Sequence, residues 1–170
     1  MSFIIEAGGP SDRDSIPLAT RERNYIPNER RLEQSPAQLR AAVEIWQRER
    51  PNARLRSITA VYNCMGLVFA SRRTWIEPDH ISMILTDDGY SRLDGESEAK
   101  IGDIVVYKKN LALTHVGIII GFDDDLSVGT RKMKVLSKWG ANGEYIHRID
   151  DVPVLFGVPA EFWTDRRMKP

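Results

Sequence analysis

The strongest constraint on how this chain can fold is a change of hydrophobic period near residue 102. From there to residue 149, four short segments are rich in Val, Ile and aromatic residues: GDIVVYKK (102–109), HVGIIIGF (115–122), KMKVLSKW (132–139) and GEYIHRI (143–149). Such residues fit a pleated, half-buried surface, and the four read as strands. A last strand is expected within VLFGVP at 154–159. Upstream of residue 90 the apolar spacing is helical. Helices first and antiparallel strands afterwards give an α+β order rather than alternating βαβ units.

Three helices are expected. Ser35 is a good N-cap and Pro36 a good first helical residue, so a helix should run to about Arg50 and stop at Pro51. Leu39, Val43 and Trp46 share one face of it. A second helix should start near Asn63 and carry CMGLVFASRRTW, with Cys64, Leu67, Val68 and Ser71 on one stripe. EPDHISMILTDDGY reads as a short third helix ending before Gly89. Residues 8–34 are rich in charge, Pro and Gly, and suggest an arm draped over the domain through Ile16, Leu18, Tyr25 and Ile26. The expected organisation is therefore an extended N-terminal arm (1–34) and a single domain (35–170). The stretch 8–34 is a candidate docking segment for a protein partner.

Composition narrows the function. A chain of 170 residues can bury a core without disulfides or a structural metal. Its 24 Lys and Arg balance 24 Asp and Glu, which removes the electrostatic case for a nucleic-acid partner. The N-terminal MSFIIEAGGPSDRD lacks the basic region and apolar length of a secretion signal, and VGIIIGF is far too short to cross a bilayer. The expectation is a soluble, cytoplasmic protein with no membrane partner, or one delivered elsewhere by a dedicated system. One cysteine and no C-x-x-C pair suggest neither zinc nor any other cofactor. The acidic loop FDDDLSVG (122–129) lacks the regular spacing of a calcium loop and reads as a solvated hairpin tip.

The lone cysteine opens two readings. A free cysteine on an apolar stripe is ordinarily core filling. Cys64, however, falls in the first turn of a helix that Asn63 can cap, where unpaired N–H groups favour a thiolate and could face an oxyanion. Gly66 inside that helix implies a neighbouring backbone at close range, as the sheet bearing the histidine would be. His115, at the lip of an apolar strand, has the chemistry to take the thiol proton and return it.

NCMGLV (63–68), GDIVVY (102–107) and THVGIIIG (114–121) occur in this order, and together they resemble the NlpC-type cysteine peptidases. The resemblance covers roughly residues 58–140. It implies a papain-like core, a nucleophile helix packed on an antiparallel sheet, in a bacterial or phage hydrolase of peptide-like amide substrates such as peptidoglycan stem peptides. Relatives include amidases and acyltransferases, and a non-catalytic binding module on the same fold is the alternative. Cys64 carries over as nucleophile and His115 as base. Asp103 matches a residue expected to hold the turn before its strand. Met65 stands where the family has serine and Asn63 where it has an acid, and both are expected at the substrate-binding mouth. For the group that orients His115, Ser137 fits best by position and His147 by chemistry, with Asn142 between them. Lys138 and Trp139 read either as a substrate wall or as a snorkelling lysine beside a core aromatic.

Overall fold

At Ser35 the chain forms a full capping box: the Ser35 hydroxyl accepts from the Gln38 amide at 3.3 Å, while Gln38 Oε1 accepts from the Ser35 amide at 3.0 Å. Helix α1 therefore spans Pro36–Glu49, as the sequence implies. This geometry comes from a computed structural model that describes residues 14–125 and 130–166. Helix α2 is shorter than its apolar stripe suggests, Cys64–Phe69. Ser71 and Arg72 adopt positive φ (49° and 66°), which ends the helix and takes Ser71 off the stripe. A 3₁₀ turn, Pro78–His80, leads into α3 (Ile81–Asp87), and Gly89 follows at φ 73°.

The strands are β1 (Arg54–Ile58), β2 (Ser91–Arg92), β3 (Ile104–Lys109), β4 (Ala112–Asp125), β5 (Thr130–Lys138), β6 (Gly143–Arg148) and β7 (Val158–Thr164). They form one seven-stranded antiparallel sheet in the order β1-β6-β5-β4-β3-β7-β2. The α+β class stands. Neither β1 nor β2 is announced by the sequence, because RLRSI alternates charge with only two apolar residues and β2 is two residues long. VLFGVP divides: a 3₁₀ turn at Val154–Phe156, Gly157 at φ 83°, then the start of β7.

Pleating sends alternate residues to opposite faces of the sheet. On one face Val105, Tyr107, Ile119, Val135, Trp139 and Tyr145 form a core that Trp46 of α1 joins edge-on to Trp139, with ring centroids 5.6 Å apart. On the other, Ile104, Val106 and Val116 pack with Cys64 and Met65 of α2 and Ile81, Ile84 and Leu85 of α3. The arm contributes Ile26 to this second core, whereas Tyr25 remains exposed. Asn28 ties the arm down: its Oδ1 accepts from Thr74 Oγ1 at 2.8 Å and from the Ile16 amide at 3.0 Å. Glu29 and Trp75 exchange backbone hydrogen bonds at 2.8 and 2.9 Å. Among the described residues no helix is long and apolar enough to cross a membrane. Most of the acidic loop 122–129 lies outside the residues whose side chains are described.

Gly66 does meet a neighbouring backbone, but it is the loop carbonyl of Thr74 and not the sheet. A Cβ there would lie 1.8 Å from that oxygen. Gly66→Ala should therefore destabilise the fold by about 3 kcal/mol, the scale of an overpacked core. Gly95→Ala, where nothing stands within 4 Å, should leave the urea midpoint almost unchanged. Equal midpoints for the two variants would refute the close packing of α2 on the Thr74 loop.

Candidate functional site

Asn63 organises the start of α2 with both ends of its amide. Its Oδ1 accepts from the Gly66 amide at 2.9 Å and from the Ile76 amide at 3.3 Å, and its Nδ2 donates to the Ile76 carbonyl at 2.7 Å. Cys64 follows in the first turn, 7% exposed. Burial pushes its thiol up to about 11, although the backbone N–H groups of Val116, Met65 and Cys64 itself and the charge of Lys138 all pull the other way. The thiol is thus protonated at neutral pH. Met65 is wholly buried and Asn63 fully engaged, so neither offers a substrate the free surface expected of a site mouth.

His115 stands on the opposite face of the sheet. Val106 pairs with Val116 and Tyr107 with His115. Val106 and Val116 share the core of Cys64, while Tyr107 belongs to the other core. The imidazole stacks on Phe156 at 4.2 Å between centroids and lies 5.4 Å from the Tyr107 ring. It is fully buried, and neither ring nitrogen has a hydrogen-bond partner. Burial, and then the charge of His147, holds its pKa well below the ordinary histidine value. The structure therefore does not bring Cys64 and His115 together.

Ser137, His147 and Trp139 all lie on the His115 face and bond to one another. His147 Nδ1 is 2.7 Å from the Arg148 carbonyl, an acceptor only, so Nδ1 carries the proton. Its Nε2 then accepts from the Ser137 hydroxyl at 2.8 Å, and Trp139 Nε1 donates to Ser137 Oγ at 3.1 Å. Burial lowers the His147 pKa to about 4. Neither Ser137 nor His147 reaches the His115 ring. Asn142 contributes backbone groups to the β5–β6 turn, its amide donating to the Trp139 carbonyl at 3.2 Å.

Lys138 and Trp139 are strand neighbours and so point to opposite faces; they do not form one wall. Lys138 is the cation whose charge acts on Cys64, and it is fully buried. Its Nζ donates to the Gly140 carbonyl at 2.9 Å and lies 5.2 Å from the centre of the Tyr62 ring. Burial lowers its pKa to about 8 against the opposing charges of Glu144, Cys64 and Glu33. Buried Glu144 accepts from the Tyr62 hydroxyl and from Arg72 Nε, the latter at 2.5 Å. Glu33 of the arm accepts from Thr59 Oγ1 at 2.5 Å and the Ala60 amide at 2.6 Å. Sequence reasoning missed Glu144, Tyr62 and Glu33, because only the register of β5 with β6 sets Lys138 opposite Glu144. Asp103 bonds the Lys100 amide at 2.8 Å and pairs with Arg166 at 2.6 Å, tying the turn before β3 to the segment just after β7. Compared with known proteins, the chain has no significant match among family models, curated proteins or solved structures.

The two buried histidines set a pH dependence. The unfolded chain protonates them near 6.5, whereas the fold keeps His147 neutral down to about 4 and holds His115 well below its ordinary value. The unfolded state thus binds more protons in that interval. Stability should be full above about 6.5 and fall as the pH drops towards 4, by about 1.4 kcal/mol per pH unit for each histidine. Urea midpoints taken between about pH 7.5 and pH 5 should show the fall, with roughly half the slope in His147→Gln. A flat profile would mean that the imidazoles are not buried as described.

Proposed function

We propose that this chain is a ligand-binding module that keeps the element order of the NlpC-type cysteine peptidases without their thiol chemistry. The observation that carries the reading is the pleat of β4: Cys64 packs on the face of Val116, while His115 belongs to the face of Tyr107. A base must come within hydrogen-bond reach of the proton it takes. On this reading Cys64 fills the core under α2, consistent with its 7% exposure.

A second reading is favoured by Lys138. A cysteine hydrolase could use the Lys138 amine in place of an imidazole. The neutral amine would take the Sγ proton, and the thiolate would attack an amide carbon to form a tetrahedral oxyanion near the α2 N–H groups. The ammonium would then protonate the departing amine, leaving a thioester for water to hydrolyse.

Iodoacetamide labelling separates the readings. For the binding module, native Cys64 at about pH 7.5 should react about a hundredfold more slowly than the same thiol in urea, since burial that pushes the thiol from 9 up to about 11 removes that share of thiolate. His115→Phe, which preserves the stack, should not change the rate. Rapid native labelling that His115→Phe abolishes would sink the module reading in favour of the Cys64/His115 dyad. The lysine variant of the hydrolase predicts labelling and amide turnover that rise through pH about 8 and disappear in Lys138→Met.

A further inference from the structure

Beyond α2, the sheet face that carries Lys138 and Glu144 continues as an open groove of about 580 Å³. Its apolar lining includes Ile120 and Ile146, which border the cluster of Tyr62, Leu67 and Leu136 under α2 and are only partly covered. Three cations stand around it on three adjacent strands: Arg54 of β1, Arg148 of β6 and Lys134 of β5. Lys134 is directly opposite Arg148, and Arg54 is opposite Ile146, two residues from Arg148. Like charges set side by side across strands repel and cost stability.

The groove's own carboxylates offset only one of these three cations, Lys134. Asp123 is taken by Lys134 at 2.5 Å, and Asp151 faces Arg50 at 3.6 Å. Among the described residues the Arg54 and Arg148 guanidinium groups have no side-chain or backbone partner. Two uncommitted guanidinium groups over an apolar floor match an oxyanion carried on an apolar body. Guanidinium binds carboxylate or phosphate through paired N–H groups, and the groove's volume is that of a small-molecule site.

We infer that this groove binds a small organic acid, with Arg54 and Arg148 holding its carboxylate or phosphate and Ile120 and Ile146 its apolar part. The inference gives the binding reading its ligand class and rests on that reading. Its failure is distinguishable, because Cys64 labelling tests the module and titration of the groove tests the acid.

The experiment is calorimetric titration of the whole chain with 4-phenylbutyrate and with phenyl phosphate, whose two responses distinguish carboxylate from phosphate as the preferred group. Either or both should bind. The neutral 4-phenylbutanol and inorganic phosphate should each bind at least tenfold more weakly than the better acid. Arg54→Met and Arg148→Met keep an apolar stem and should each weaken that acid about tenfold, the worth of a charged hydrogen bond. Arg40→Met, on exposed α1 surface, should not. The inference fails if neither acid binds, if 4-phenylbutanol or inorganic phosphate matches them, or if Arg40→Met weakens binding as much as the groove variants. Both groove variants are exposed substitutions, and unchanged urea midpoints would exclude misfolding as the cause of lost binding.

Discussion

The register of β4 decides what every other part of the site can do. Its backbone is bonded on both sides, to β3 and to β5, so each side chain is committed to one face. Gly117 fixes that commitment. A Cβ there would meet Val135 Cγ1 at 2.4 Å and the Leu136 carbonyl at 3.2 Å. A one-residue slip would carry Val116 or Ile118 into a place with no room for a methyl group, and would turn the whole apolar set of β4 over. Because that slip is forbidden, Val116 stays beneath Cys64 and His115 stays in the stack with Phe156.

Magnitudes explain why the start of α2 does not lower the Cys64 pKa. A charge at a helix terminus gains about 0.3–1 kcal/mol when exposed and up to about 2 in partly buried settings. The rise of the thiol from 9 to about 11 amounts to about 3 kcal/mol in favour of the protonated form. That is what remains after the N–H groups and Lys138 have acted, so desolvation wins. The same burial strips Lys138 of hydration and lowers it to about 8. Glu144 limits that fall, and Glu144 is itself held by Tyr62 and Arg72. Lys138, Glu144, Tyr62 and Arg72 on this face each have a hydrogen-bond partner, in contrast to the orphaned nitrogens of His115 on the other. An unpaired buried polar group costs about 1–3 kcal/mol, which stacking on Phe156 and the tilted contact with Tyr107 help to offset.

Local chemistry made much of the fold legible. Ser35-Pro36, Asn63 and the Val- and Ile-rich segments each announce an element through a property that acts within a few residues. The strand β1 was not legible, since its exposed arginines hide the two half-buried positions that pair with β6. Nor was the end of α2, which the backbone of Ser71 and Arg72 imposes against the apolar stripe. The candidate site was legible only in part. Reading Cys64 at a capped helix start needed only its neighbours; Ser137 and His147, two of the three residues expected to orient the base, bond each other but do not reach His115. Which face His115 takes, and that Lys138 stands opposite Glu144 on the face away from Trp139, depend on cross-strand register. Register is a property of pairs of strands, and no single segment carries it.

One irregularity makes the point concrete. Between Tyr107 and Lys108 the β3–β4 ladder shifts, because Tyr107 pairs with His115 while Lys108 pairs with Leu113. Thr114 is the extra residue, a bulge immediately before His115. Bulges re-aim side chains at strand ends, and they recur beside functional sites. With the bulge one position later, Thr114 would stand opposite Tyr107, and His115 would swing towards the face that Val116 and Cys64 share. The apolar pattern from Val116 onward would be unaffected, so hydrophobic periodicity cannot choose between the two ladders. The observed ladder is accompanied by tertiary contacts: Thr114 Oγ1 donates to the Phe156 carbonyl at 2.6 Å and lies 3.3 Å from the Tyr107 carbonyl, and Phe156 covers the imidazole. One residue of ladder separates an imidazole stacked on Phe156 from one on the face of Cys64, and the Thr114 hydroxyl bonds belong to the ladder observed.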